Sequence, residues 1–163
     1  MNFEVIIVDY LNKKQTSDIV QLLSSYAEDP MGGGESLSPY TKENLIDKLA
    51  TLSYAFSLIC YADTKPAGLI NCFDGFSTFS CKPLINIHDL VVLEEFRGLG
   101  ISQLMLSKVE AIAEEKGCCK ITLEVLEGNS AAQHAYLKYG FAAYELDPEM
   151  GQALFWQKRV KNS

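Results

Sequence analysis

Little in this sequence marks a membrane, secreted or nucleic-acid-binding chain. Its apolar runs fall far short of the ~20 residues that a spanning helix requires. Met1-Asn2-Phe3-Glu4 opens without a basic region ahead of an apolar segment, so no signal segment is expected. Positive charge is in the minority: 14 Lys and Arg against 21 Asp and Glu give a formal net charge of -7, whereas phosphate backbones are held by clustered Lys and Arg. Histidine is confined to His88 and His134, and the cysteines, Cys60, Cys72, Cys81, Cys118 and Cys119, contain no Cys-x-x-Cys pair. Zinc sites and disulfide scaffolds need better spacing, so reduced thiols and no metal are expected. The expectation is a cytoplasmic protein with no nucleic-acid or membrane partner, whose acidic balance leaves room for an amine-bearing substrate.

What is present suits one domain. The 163 residues, 48% hydrophobic and 21% charged, are enough for one real core and too few for two comfortable ones. There is no internal repeat or low-complexity linker. The chain is organised around Ile85 to Leu106, INIHDLVVLEEFRGLGISQLML. Ile85 to Leu93 is rich in β-branched residues and leucine, as a largely buried strand is. After Glu94, Glu95 and Phe96, Arg97-Gly98-Leu99-Gly100-Ile101-Ser102 opens an amphipathic helix containing Leu104, Met105, Val109 and Ile112. Glycines at a strand-to-helix junction let the backbone approach a ligand, and the free amides of the first helical turn favour a phosphate.

The spacing narrows the choice of phosphate ligand. A P-loop needs a following Gly-Lys-Ser/Thr, and a dinucleotide loop needs a third glycine where Gln103 stands. The pattern Arg/Gln-x-x-Gly-x-Gly/Ala after a Leu-Val-Val strand does fit, with Ser102 in the last position. Downstream, Leu123-Glu124-Val125, Asn129, Ala132, Tyr136 and Tyr139-Gly140-Phe141 repeat the order strand, asparagine, helix with tyrosine, Gly-Phe. Through these two blocks the chain resembles the GCN5-related N-acetyltransferase (GNAT) family.

The resemblance implies an α/β (α+β) fold: a single N-acetyltransferase domain over 1–163, with a mixed, mostly antiparallel sheet splayed at the cofactor site and flanked by about four helices. It implies transfer of acetyl from acetyl-CoA to a primary amine by direct attack in a ternary complex. The backbone of Leu90, Val91 and Val92 would pair with the pantetheine arm. Gly98, Leu99, Gly100, Ile101, Ser102 and Gln103 would take the pyrophosphate, with Arg97 nearby. Asn129 would bind the cofactor through its amide, and Tyr136, protonated at neutral pH, would supply the proton for the leaving thiolate. For the general base Glu124 ranks first, Asp89 second and His88 third. Neighbours on a regular strand face opposite sides, so Asp89 and His88 are not expected in one pocket. The acceptor expected is a small-molecule amine; a protein N-terminus or lysine, and a non-catalytic acyl-CoA-binding module, are the alternatives.

In chain order, Phe3 to Val8 reads as a strand and Thr16-Ser17-Asp18 as the cap of a helix through Tyr26. Residues 30–38, with three consecutive glycines, read as a flexible loop or one held by contacts. Thr41 to Leu49 reads as a helix, Ala55 to Tyr61 and Ala67 to Phe73 as a hairpin turning at Asp63 to Pro66, and Asp74 to Pro83 as an aromatic loop. Lys120 to Val125 reads as a strand, Ser130 to Tyr139 as a helix, and the ALFWQKRV segment as a last strand. The segments expected to choose the acceptor are 30–38, 74–83 and this last strand. Trp156 reads as packing, with an acceptor-site or homodimer contact as the alternatives.

Overall fold

A computed structural model describes residues 1–161; residues 162 and 163 of the expected domain lie outside the described part. One five-stranded sheet runs in the order β1 (Phe3–Ile7), β2 (Ala55–Ala62), β3 (Lys65–Ser77), β4 (Lys82–Val92), β5 (Ile121–Leu123). The first four strands pair antiparallel and β4 pairs with β5 in parallel. Four helices flank the sheet: α1 (Lys13–Glu28), α2 (Pro39–Thr51), α3 (Ile101–Glu115) and α4 (Ser130–Tyr139). This is the mixed, mostly antiparallel α/β architecture expected.

Strand alternation divides the core in two. On one face Ile59, Leu69 and Val91 meet Ile19 and Leu22 of α1, with Ile46 of α2 packed against them. On the other, Leu58, Cys60, Ile70, Ile85 and Ile87 meet Met105, Leu106, Val109 and Ile112 of α3, and Tyr136 and Tyr139 of α4 lean on that cluster. Burial of each such aliphatic side chain contributes ~1.5–3 kcal/mol. The start of α3 lies tight on β3, because a Cβ at Gly68 would stand 2.8 Å from Met105 Cε and 3.1 Å from Ile101 Cγ2.

Several elements differ from expectation. The cap of α1 is Asn12, whose side chain accepts from the amides of Lys14 and Gln15. Thr16 and Asp18 lie inside the helix, Thr16 bonding back to the Lys13 carbonyl and Asp18 engaged by Lys14 and by Tyr61. The hairpin turns at Asp63-Thr64 alone, with Ala62 opposite Lys65. The aromatic loop is largely strand, since β3 runs to Ser77 and β4 begins at Lys82. Segment 30–38 is held: Gly32 and Gly34 donate to the Asp29 carbonyl, Glu35 to that of Ala27, and Ser36 to the Glu28 carboxylate. Gly32 is required there, because a Cβ would lie 1.9 Å from the Tyr26 carbonyl oxygen. No strand forms over the ALFWQKRV segment; a single bridge, Glu145 to Gln152, ties the region back.

Candidate active site

Strands β4 and β5 part company early. They pair only over Ile85–Ile87 and Ile121–Leu123. Beyond that β4 continues to Val92, paired with β3 on its other side. The backbone from His88 to Val92, including Leu90, Val91 and Val92, therefore presents an edge with no strand pairing on the β5 side among the described residues. Such an edge accepts an extended ligand by backbone hydrogen bonding. The Val92 carbonyl already accepts from Arg97 Nε at 3.2 Å.

A β-bulge sits at the head of this edge. Asn71 is opposite Asp89 and Cys72 opposite Ile87, leaving His88 as the extra residue. The bulge overturns the alternation rule: His88 and Asp89 line the same hollow, with His88 Nδ1 3.3 Å from Asp89 Oδ1. Bonding to Asp89 and the charges of Asp89 and Glu124 raise the imidazole pKa above 6.5, against burial, which opposes the charged form. The bonding leaves Nε2 as the free ring nitrogen.

Asp89 is held from behind by a polar row across the sheet. Its Oδ2 accepts from Asn71 Nδ2 at 3.0 Å, Asn71 Oδ1 accepts from Ser57 Oγ at 2.6 Å, and Ser57 Oγ lies 2.8 Å from the Tyr10 hydroxyl. A carboxylate only accepts, so the asparagine amide must face Asp89 and the serine proton must go to asparagine. Tyr10 then donates to Ser57, and the direction of the whole row is fixed. In register, Ser57, Asn71 and Asp89 are direct cross-strand neighbours.

The hollow in front of these groups measures about 340 Å³ and lies between α1, α2 and the β3–β4 surface. Leu23, Ala27, Leu37, Leu45, Leu49 and Phe73 give it apolar walls, and Tyr26, Asn71, His88 and Asp89 its polar end. Of the segments expected to choose the acceptor, 30–38 contributes Gly32 and Leu37. The 74–83 segment lines a separate hollow at the tip of the β3–β4 hairpin, with Phe76, Phe79, Lys120 and Tyr144. Trp156 is 84% exposed and lines neither.

Past the open edge the chain enters the glycine loop. Gly98 and Gly100 take φ of +78° and +82°, and α3 starts at Ile101 with no side chain capping its N-terminus. The first-turn amides of Ile101, Ser102 and Gln103 thus have no intrahelical acceptor and carry the positive end of the helix dipole. Leu99 is exposed, and Arg97 also reaches Asp29 at 3.6 Å, linking the loop to the end of α1. Gln103 Nε2 donates to the Ala135 carbonyl, fastening α4 beside the loop.

On α4, Asn129 is the N-cap, its side chain accepting from the Ala132 amide at 3.1 Å. Tyr136 packs edge-on against Phe141, and burial together with the neighbouring Tyr26 hydroxyl pushes its pKa up to about 12. The pKa of Tyr26 is itself raised by burial and by the charges of Asp89 and Asp29. Tyr26 and Asp89, from α1 and β4, line the hollow, whereas Tyr136 on α4 packs against the α3-side core and is not part of its lining. Glu124, ranked first as base, is exposed beyond the end of β5 and does not line the hollow; its charge is felt at His88.

A family model described as the acetyltransferase (GNAT) family matches residues 18–141. The chain belongs to that family. Among known GNAT sequences it is similar to the thialysine N-epsilon-acetyltransferase of Bos taurus, 38% identical over 56 residues, or 34% of this chain and 33% of that one. The matches to curated relatives span 33% to 39% of those relatives' length. By fold, this GNAT chain is similar to an aminoglycoside acetyltransferase from an uncultured soil metagenomic sample, solved with trehalose, at TM-score 0.78 and 18% identity over 98% of this chain and 97% of that one. It is also similar to an aminoglycoside N-acetyltransferase in complex with CoA, at TM-score 0.73 and 16% identity, covering 98% and 96%.

Some residues of the GNAT chain's cleft were not singled out from the sequence. Tyr26 is spaced with Ile19, Leu22 and Leu23 on one helical face and reads as core. Asn71 sits in an apolar strand, LINCF, where a lone polar residue is the one signal that something on that face needs a hydrogen bond.

Proposed function

We propose that this GNAT chain transfers an acetyl group from acetyl-CoA to the primary amine of a small molecule. The observation that carries the reading is the bulge, which brings His88 and Asp89 together in the lining of the hollow at the start of the unpaired edge of β4. Acetyl-CoA, when bound, supplies an activated acetyl thioester. The residues present fit it: the edge from Leu90 to Val92 offers backbone groups for the pantetheine amides, and the loop from Gly98 to Gln103, with Arg97 at its side, offers amides for the pyrophosphate. Asn129 spends its carbonyl oxygen on the helix cap, so only its Nδ2 is left to donate to the cofactor.

Three residues of this chain divide the chemistry. His88 Nε2 accepts a proton from the incoming ammonium, leaving a neutral nucleophile. Asp89 holds the imidazole by Nδ1 and draws the cationic amine in. The Tyr136 hydroxyl, with its pKa near 12, retains the proton that the departing thiolate needs. The amine nitrogen attacks the thioester carbonyl, the carbon–sulfur bond breaks, the thiolate takes the Tyr136 proton, and the second proton shed by the acylated nitrogen restores the phenol, leaving an N-acetylamine and free thiol.

The cysteines are free thiols, in keeping with a cytoplasmic reaction. The exposed Leu154, Phe155 and Trp156 are our candidate cover for a homodimer, checked by light scattering. The test of the function is thiol release from acetyl-CoA in the presence of simple primary amines. A His88→Gln variant should lose turnover by ~10²–10⁴-fold while still binding acetyl-CoA; unchanged turnover would remove His88 from the mechanism.

A further inference from the structure

The acceptor hollow holds one anionic group and a long apolar wall, and this limits the amine it takes. We infer that the acceptor is a primary monoamine with an apolar body, such as an alkyl- or arylalkylamine, and not a polycation. The inference rests on the acetyl-transfer reading above and names the substrate class for it.

The first ground is charge. Asp89 is the one carboxylate among the residues lining the hollow, and no Lys or Arg lines it. Of the carboxylates outside the lining, Glu124 bears on the His88 end, where the reacting amine sits, and the two at the end of α1 are engaged elsewhere. Asp29 lies 3.6 Å from Arg97 and accepts from the Met31 amide, and Glu28 accepts from Ser36. Asn71 is held by Ser57 and Asp89 and carries no charge to compensate a second ammonium. One ammonium can therefore be compensated, and a second would be desolvated without a partner, which is costly.

The second ground is shape. Leucines 23, 37, 45 and 49 and Phe73 face a volume of about 340 Å³, at the lower end of the ~300–1,000 Å³ of ligand sites. A hydroxylated or multiply charged ring system would leave its polar groups unpaired against these walls. A hydrocarbon chain or a single aromatic ring would gain from them, because burying each methylene is worth about fourfold in affinity, or ~0.8 kcal/mol.

The test compares kcat/KM for n-butylamine, n-pentylamine, n-hexylamine and 2-phenylethylamine with that for spermidine and kanamycin, at saturating acetyl-CoA. The expected result is a rise of about threefold to fourfold per methylene and a preference of at least tenfold for hexylamine over spermidine. The Leu45→Glu variant, with a carboxylate in the wall, should lose the methylene increment and turn the preference toward spermidine. A flat alkyl series, or a wild-type preference for spermidine or kanamycin, would overturn the inference while leaving the acetyl-transfer reading standing. The converse is separable by calorimetry: hexylamine bound, and weakened tenfold or more by Asp89→Asn, with no thiol released on any amine, would sustain the hollow's specificity and overturn the acetyl-transfer reading. Absence of hexylamine binding, with no thiol released, would overturn both.

Discussion

His88 and Asp89 are sequence neighbours on one strand, yet His88 Nδ1 lies 3.3 Å from Asp89 Oδ1 and both line one hollow. On a regular strand they would point to opposite faces. The extra residue that β4 carries against Asn71 and Cys72 of β3 turns them together. The same irregularity falls where β4 leaves β5, so the pair proposed to react stands beside the unpaired backbone proposed to hold the acyl donor.

Asn71 is the residue that fixes Asp89. Replacing it with Ala removes the donor to the half-buried Asp89 Oδ2 and the acceptor of the buried Ser57 hydroxyl, which keeps Tyr10 alone. The expected loss is ~1–3 kcal/mol in unfolding free energy, read as a lower denaturant midpoint. Turnover should fall further than stability accounts for, because the carboxylate no longer has a set orientation. An unchanged midpoint would mean that water replaces the bonds.

Tyr136→Phe keeps the packing against Phe141 and removes only the hydroxyl. Because burial and Tyr26 hold this phenol protonated, with a pKa of about 12, its loss should reduce kcat by ~10²-fold or more. The acetyl-CoA dissociation constant from calorimetry should stay within twofold. Equal losses in kcat and binding would make Tyr136 a wall of the site.

Gly32 lines the hollow at the end of α1. A methyl group there would meet the Tyr26 carbonyl at 1.9 Å, and that atom is backbone. Gly32→Ala should displace the 30–38 segment from the end of α1, raising KM for the amine with little change in KM for acetyl-CoA. Gly34, at φ +75° with open space around it, should affect both constants weakly when replaced by Asn, the residue type enriched in the left-handed region.

Glu124 does not line the hollow, and its charge helps raise the His88 pKa. Glu124→Gln should shift the acidic limb of the rate profile slightly to lower pH and leave maximal kcat within a few fold; a loss of ~10²-fold or more would restore Glu124 as the base. The raised His88 pKa has a stability counterpart. A group whose folded pKa lies above its unfolded value stabilises the fold below the unfolded pKa, here ~6.5, and that contribution is lost as pH rises through the folded value. The His88 side chain is 63% exposed, so solvent screening keeps this contribution small.

Where local chemistry decides structure, the sequence was readable. Helix α4 runs from Ser130 to Tyr139 as expected, because Asn129 caps it and Gly140 ends it at φ +118°. The glycine loop was legible because Gly98 and Gly100 do adopt left-handed backbone. The reading failed where tertiary partners decide. Asp18 looks like a cap residue until Lys14 and Tyr61 are found engaging it. Gly75 looks like a loop residue, yet it pairs with Leu84 across a continued hairpin. The bulge left no local mark, since a period-two pattern is silent about one inserted residue.

The most direct test is the pH dependence of kcat/KM for an alkylamine in the wild type and in Asp89→Asn. The wild type should gain activity through an ionisation above 6.5, as the raised His88 imidazole becomes neutral. In Asp89→Asn the maximum should fall and the limb should move to lower pH, because the bond and the charge that raise the imidazole are both gone. An identical limb in both proteins, or one that persists in His88→Gln, would contradict the assignment of His88 and Asp89 as the proton-accepting pair.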